Sequence, residues 1–254
     1  MNKYAQVAIN TVNFINKKIE SLLEFKNFSK EINNMNPVAI VGISLIHKAC
    51  FISAYCSQSK DKALVITDSD TQAQKLKSDL NTLGLNAYHY PARDFDFSDS
   101  ETQSREYEHQ RLDILSKIVN SEYDIIVASA DAALQYTVDP ESLKSKIYKL
   151  STKDTISPEE LSQKLLSLGF EREFQVDAVG QFSVRGGIFD IFSPGMPFAA
   201  RLEFFGDEID TISYFDTKSQ RRTENIDSIT IIPCVEILAE EPESIAEKII
   251  SLSE

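Results

Sequence analysis

The run QFSVRGGIFDIF, Gln181 to Phe192, decides the reading of this chain. Apolar residues alternate there with polar and charged ones, the pattern of strands that bury one face and expose the other. It predicts two short strands, Gln181–Arg185 and Ile188–Phe192. The surrounding stretch, Phe170 to Phe215, holds five of the eight glycines in the chain. Within it LEFFGDEIDTI, Leu202 to Ile212, adds two more strands, Ala199–Phe205 and Ile209–Phe215, turning at Gly206-Asp207. Glu171–Asp177 before the run and Ile226–Ile232 after it complete a small antiparallel sheet.

Upstream, Ser157-Pro158-Glu159-Glu160 combines a cap residue, a first-turn proline and a capping-box glutamate. Leu161, Leu165 and Leu168 follow at helical spacing and Gly169 ends the helix. One helix over an antiparallel sheet makes the region from Pro140 to Pro233 an α+β domain.

The first half has a different rhythm. Ala8, Val12, Ile15, Ile19 and Leu22 predict an opening amphipathic helix. Val38–Val41, Ala63–Ile66, Ala87–Tyr90 and Ile125–Ala128 are short apolar runs separated by helical patterns, as buried parallel strands are. Ser69 with Gln72 caps the helix carrying Ala73, Leu76 and Leu80, which Gly84 stops. A further helix runs from Ser104 to about Val119, after an acidic loop from Asp94 to Glu101, and Ser244 to Leu252 reads as helical. Strand–helix alternation predicts a parallel sheet covered on both faces.

Charge narrows the function. The chain of 254 residues has a net charge of −13 and a pI of about 4.8. Nucleic-acid binding relies on clustered Lys and Arg, so this balance argues against direct DNA binding and for an acidic, soluble surface. No run approaches bilayer length, and the first residues lack the pattern of a secretory signal, which predicts a cytoplasmic protein without a membrane role. Cys50, Cys56 and Cys234 form no ligand spacing and suit a reducing compartment.

Catalytic motifs are eroded or missing. A P-loop needs two glycines, a lysine and a hydroxyl that binds magnesium. The turn Gly42-Ile43-Ser44-Leu45-Ile46-His47-Lys48-Ala49 keeps Gly42 and Lys48 but has His47 and Ala49 at the other two positions. Lys48 is either an exposed helix lysine or the remnant of a nucleotide site. His47, His89 and His109 have no partner at ligand spacing, and no Gly-X-Ser-X-Gly elbow occurs. No catalytic residue, metal or cofactor is expected.

What remains is the sheet. With a turn at Val179-Gly180, Phe174 would face Arg185, and Arg172, Phe174, Ser183 and Arg185 would share one face. Arginine and aromatic side chains dominate binding hot spots, so that face is a candidate docking surface. Alternatively Phe174 covers core and the arginines pair with Glu171 and Glu173. Phe182, Val184, Phe189 and Ile191 are assigned to the core.

Several of these runs resemble a known family. QFSVRGGIFDIF, RLEFFGDEIDTISYFD (Arg201–Asp216), SQRR (Ser219–Arg222) and the segment Tyr90 to Leu115 are similar to the N-terminal module of bacterial transcription-repair coupling factors, a module homologous to the repair protein UvrB. The resemblance implies an α/β fold. Residues 1–139 would be a degenerate P-loop-type parallel-sheet domain with helices on both faces. Residues 140–233 would be an inserted α+β domain like the second domain of UvrB, and 234–254 the start of a segment returning to the first domain. It also implies a non-catalytic, monomeric fragment of a longer ATP-driven DNA translocase. That parent would reach RNA polymerase and double-stranded DNA through domains absent here. The implied partner is UvrA, contacted through Arg172 and Arg185; Ser183 stands where UvrB has a further arginine. Outside the family, a divergent nucleotide-binding domain using Lys48 and a module that binds damaged DNA are the alternatives.

Overall fold

The computed structural model describes residues 3–93 and 105–236. The expected acidic loop Asp94–Glu101 and the helix Ser244–Leu252 lie outside the described residues. In chain order the elements begin with α1 (Lys3–Glu20), α2 (Leu23–Asn33), α3 (Leu45–Ser59), β1 (Ala63–Thr67), α4 (Asp70–Thr82), β2 (Ala87–Tyr90), α5 (Glu106–Val119), β3 (Ile125–Ser129) and α6 (Ala130–Ala133). They continue with α7 (Pro140–Lys146), β4 (Tyr148–Ser151), α8 (Pro158–Ser167), β5 (Glu171–Arg172), β6 (Gln181–Arg185), β7 (Ile188–Phe192), β8 (Ala199–Phe205), β9 (Glu208–Phe215), β10 (Arg222–Ile226) and β11 (Ser228–Ile231). Two compact units emerge, residues 1–93 with 122–135 and residues 94–121 with 136–254.

The first unit is built on a parallel sheet of three described strands in the order β1-β3-β2. Helix α4 starts where its cap is local: Ser69 Oγ accepts the Gln72 amide at 3.4 Å. It ends at Gly84, whose φ of 81° is open to glycine at little cost. Its buried face, Ala73, Leu76 and Leu80, packs on Ala87, Ile125 and Val127, with Ala49 and Cys56 of α3 in the same cluster.

The expected first strand is not found. Val38–Val41 adopts no strand and pairs with nothing in the sheet, and Val41 is 88% exposed. Val38, Ile40 and Ile43 line an apolar cavity against Phe28, Phe51 and Val65 instead. An apolar run signals burial of side chains without saying whether the backbone pairs, and Pro37 removes a donor at its start. The single opening helix is likewise two, α1 and α2.

The second unit carries a six-stranded sheet in the order β10-β9-β8-β7-β6-β5 and a two-stranded one, β11-β4. Ser157 Oγ accepts the Glu160 amide at 3.1 Å, starting α8 where the capping signal puts it. Leu161 and Leu165 of this helix, with Leu168 and Phe170 just after it, meet Phe182, Phe189, Ile191, Leu202 and Ile212 from one face of the sheet. Each such buried side chain is worth about 1.5–3 kcal/mol relative to an exposed one. Phe182, Val184, Phe189 and Ile191 thus belong to this core, as the alternation indicates. The last expected strand, Ile226–Ile232, is β11, and it leaves the sheet to pair with β4, setting Ile229 opposite Leu150, while an unexpected strand, β10, pairs with β9 before it. Helices α5 and α7 pack through Leu112, Leu143 and Ile232.

Candidate partner-binding site

The site is built on β6 and its neighbours. The turn Gly186-Gly187 sets Arg185 opposite Ile188, which carries Ser183 opposite Asp190 and Asp190 opposite Arg201. Paired residues share a face, so Ser183, Asp190 and Arg201 line the side of the sheet away from the apolar core, and Arg185 joins them by strand alternation.

Asp190 is fully buried and would pay a large desolvation penalty alone. It accepts from two guanidinium groups. Arg201 is bidentate, Nε to Oδ1 at 2.6 Å and Nη2 to Oδ2 at 2.8 Å. Arg185 adds one bond, Nη2 to Oδ2 at 2.7 Å. The Arg201 side chain is 12% exposed, its guanidinium lies 4.6 Å from the centre of the Phe215 ring, and Nη1 donates to the Gln220 carbonyl at 3.3 Å. Its hydrogen bonds to Asp190 raise its pKa further, against the effect of burial. Arg185 is 37% exposed, so its charge reaches solvent. On the same face Glu203 pairs with Arg222 and accepts from the Thr211 hydroxyl at 3.1 Å.

The expected shared face of Arg172, Phe174, Ser183 and Arg185 does not form as one strand pair. β5 has only two residues and runs parallel to β6, with Glu171 opposite Gln181 and Arg172 opposite Phe182. Register therefore puts Arg172 on the Phe182 side and Arg185 on the Ser183 side. The chain beyond β5 crosses the polar face because Val176 is buried there against Ala199 and Phe215. Gln181 Oε1 holds this crossing by accepting the amides of Asp177 and Ala178, each at 2.9 Å. Ser183 is buried, and its hydroxyl donates to the Phe174 carbonyl at 2.8 Å, so it anchors the loop from inside. That bond leaves the Phe174 ring 84% exposed beside β6. Arg172 is exposed on β5, and no ion pair is described for it. The acids suggested as local partners do not serve: Arg185 takes Asp190, and Glu171 pairs with Arg105 at 3.5 Å.

Asp190 and Arg201 escape a reading that follows one strand at a time, since they come from β7 and β8. The Gly186-Gly187 turn is the signal that finds them: a two-residue turn fixes the register and places Asp190 across from Ser183.

In the first unit Gly42 has φ of 79° and nothing within 4 Å of where a Cβ would stand. Ser44 Oγ is occupied by His47 Nδ1 at 3.0 Å, and Ala49, at the position of the magnesium hydroxyl, is buried in the apolar cluster. Lys48 is exposed and borders the apolar cavity beneath Val38 and Ile40. Among the described residues no group of three or more His, Cys, Asp or Glu is placed to hold a metal ion, and no described helix is long and apolar enough to cross a membrane.

Comparison with known proteins bears on the second unit most directly. Residues 148–236 match the family described as the UvrB interaction domain. The chain is 33% identical over 201 residues to the transcription-repair-coupling factor of Bacillus subtilis (strain 168), covering 78% of this chain and 17% of that protein. It is 28% identical over 218 residues to the transcription-repair-coupling factor of Staphylococcus aureus (strain USA300), covering 84% of this chain and 19% of that one. The chain thus spans less than a fifth of the length of these curated relatives.

Proposed function

We propose, from the premise that residues 148–236 are a UvrB interaction domain in a homologue of the transcription-repair-coupling factors, that this chain is a non-catalytic adaptor that docks UvrA. Its role is to bring UvrA to damage at which transcription has stalled, in the cytoplasm. The chain acts as a monomeric portion of a longer protein whose ATP-driven motor displaces RNA polymerase from elsewhere in that protein.

The observation that carries this reading is the pairing of exposure with fixed charge beside β6. The Phe174 ring and Arg172 stand free of the packed core, and Arg185 reaches solvent while tethered to a buried carboxylate. An exposed aromatic ring on the loop held by Ser183, with one oriented guanidinium group two residues along β6, suits an acidic protein surface, because charge-assisted hydrogen bonds select the partner and apolar burial adds affinity. The eroded turn at Gly42–Ala49 supports the non-catalytic part: its hydroxyl position is core and its lysine is exposed at the border of an apolar cavity.

The test is calorimetric titration of UvrA with the wild-type chain and with Arg172→Glu and Arg185→Glu. Each reversal should weaken binding by about 2–5 kcal/mol while leaving the circular dichroism spectrum intact. Unchanged affinity in both variants would overturn the assignment of this surface.

A further inference from the structure

We propose that Asp190 and Arg201 are positioning residues for Arg185, setting both its orientation and the single positive charge that the cluster offers to an acidic group of the partner. This inference rests on the reading of Arg185 as a docking residue.

The division of labour follows from the geometry. Asp190 is buried and already doubly bonded by Arg201, which is itself mostly covered and held by Phe215 and the Gln220 carbonyl. That pair would be electrically complete without Arg185. Arg185 is the extra cation: it gives one donor to Asp190 Oδ2, and no other hydrogen bond is described for it. A guanidinium has five donors in a planar fork, so most of the fork stays available to a partner. The one bond restrains a long side chain that would otherwise lose more freedom on binding.

Charge points the same way. Two guanidinium groups share one carboxylate, leaving one net positive charge at the outer, more exposed end of the row. Glu203, in line with Arg185 across Ile188 on the same face, has its own cation in Arg222. The partner group that fits is a carboxylate, which a fork with parallel donors binds best. A purely structural salt-bridge pair would have no use for the second arginine. Register also makes the arrangement specific, because only the Gly186-Gly187 turn brings Asp190 within reach of Arg185.

The experiment is a double-mutant cycle read by calorimetric affinity for UvrA, using wild type, Asp190→Asn, Arg185→Ala and the double variant. Asp190→Asn frees Arg185 from its anionic anchor, and that loss of orientation should outweigh the added net charge, weakening binding about tenfold when Arg185 is present and less than about twofold when it is absent, since coupled pairs lose additivity. Equal factors in both backgrounds would mean that Asp190 only stabilises the sheet, and would overturn the inference. Arg201→Gln gives the same cycle should Asp190→Asn fail to fold. It leaves Arg185 as the sole cation on Asp190 and the cluster neutral, so affinity should fall only where Arg185 remains; a fall that is the same without Arg185 overturns the inference. If Arg185→Ala alone leaves affinity unchanged, the docking reading itself fails, an outcome distinct from simple additivity.

Discussion

Arg111 Nε and Glu236 Oε1 lie 2.6 Å apart, with side chains 0% and 1% exposed. This ion pair joins α5 to the segment after β11 across 125 positions of sequence. The same segment is held by the Glu236 amide, which donates to Glu108 Oε1 at 2.8 Å, and by the Cys234 amide, which donates to the Leu168 carbonyl at 2.9 Å. A buried pair contributes little against a well-packed apolar substitute, yet removing one member strands the other charge. Glu236→Ala should therefore destabilise the second unit by about 3–5 kcal/mol, and Arg111→Met with Glu236→Leu should recover much of the loss. Urea denaturation of wild type and the two variants measures both effects. A Glu236→Ala cost below about 1 kcal/mol would mean that water reaches the pair.

Gly169 sits at the end of α8 with φ of 84°, and a Cβ there would stand 2.8 Å from both γ-carbons of Val235. Two separate penalties fall on Gly169→Ala, the left-handed backbone and the clash. Left-handed non-glycine residues cost about 1–3 kcal/mol. Removing the clash with Val235→Ala should make the glycine substitution cheaper, so the two changes will be non-additive in thermal melts. Strict additivity would show that the valine moves aside at no cost.

Local signals in this chain are the legible ones. The caps at Ser69 and Ser157 are made by residues within a single turn, so the starts of α4 and α8 can be read directly. The core of the second unit is legible too, because alternation in β6 and β7 sorts Phe182, Val184, Phe189 and Ile191 to one side. The parallel pairing of β5 is not legible. It depends on Val176 finding Ala199 and Phe215, contacts made by strands far along the chain. A hairpin reading of Glu171–Arg185 consequently misplaces Arg172 relative to Arg185 while still naming residues that end at one edge of the sheet. Val38–Val41 fails for a related reason: apolar composition reports contact with Phe28 and Phe51, not hydrogen bonding to β1.

His109 makes stability depend on pH. Its imidazole is packed against Gly180, with Cε1 3.2 Å from the position of a Cβ there, and its Nε2 is buried without a hydrogen-bond partner. Burial lowers its pKa below the ordinary 6.5; Glu108, Glu171 and a hydrogen bond to the Cys234 backbone oppose that, and Arg105 reinforces it. A histidine depressed in the fold binds its proton first in the unfolded chain. Its contribution is therefore fully present above pH 6.5 and is lost as pH falls through the lower, folded value. Urea midpoints for wild type should drop faster than those of His109→Gln as pH goes from 7 toward 5. Parallel curves would show that His109 stays neutral in both states or protonates in both.

Phe174 separates the proposed docking surface from the charge cluster. Its ring is 84% exposed, and the feature that holds it is its own carbonyl bonded to Ser183, which a side-chain change leaves in place. Phe174→Ala should leave thermal stability within about 0.5 kcal/mol, as surface substitutions generally do. Burying a phenylalanine ring against a partner is worth about 1.5–3 kcal/mol, so affinity for UvrA should fall roughly tenfold or more. Ser183→Ala should act in the opposite order. It frees the Phe174 carbonyl and loosens the loop, lowering stability by about 0.5–1.5 kcal/mol and weakening binding only through the loss of a fixed ring position. Melting curves and UvrA titrations on the two variants separate a ring that contacts the partner from a hydroxyl that only presents it. If Ser183→Ala weakens binding more than Phe174→Ala does, the loop's position matters more than its aromatic tip, and the contact must lie elsewhere along Glu173–Val179.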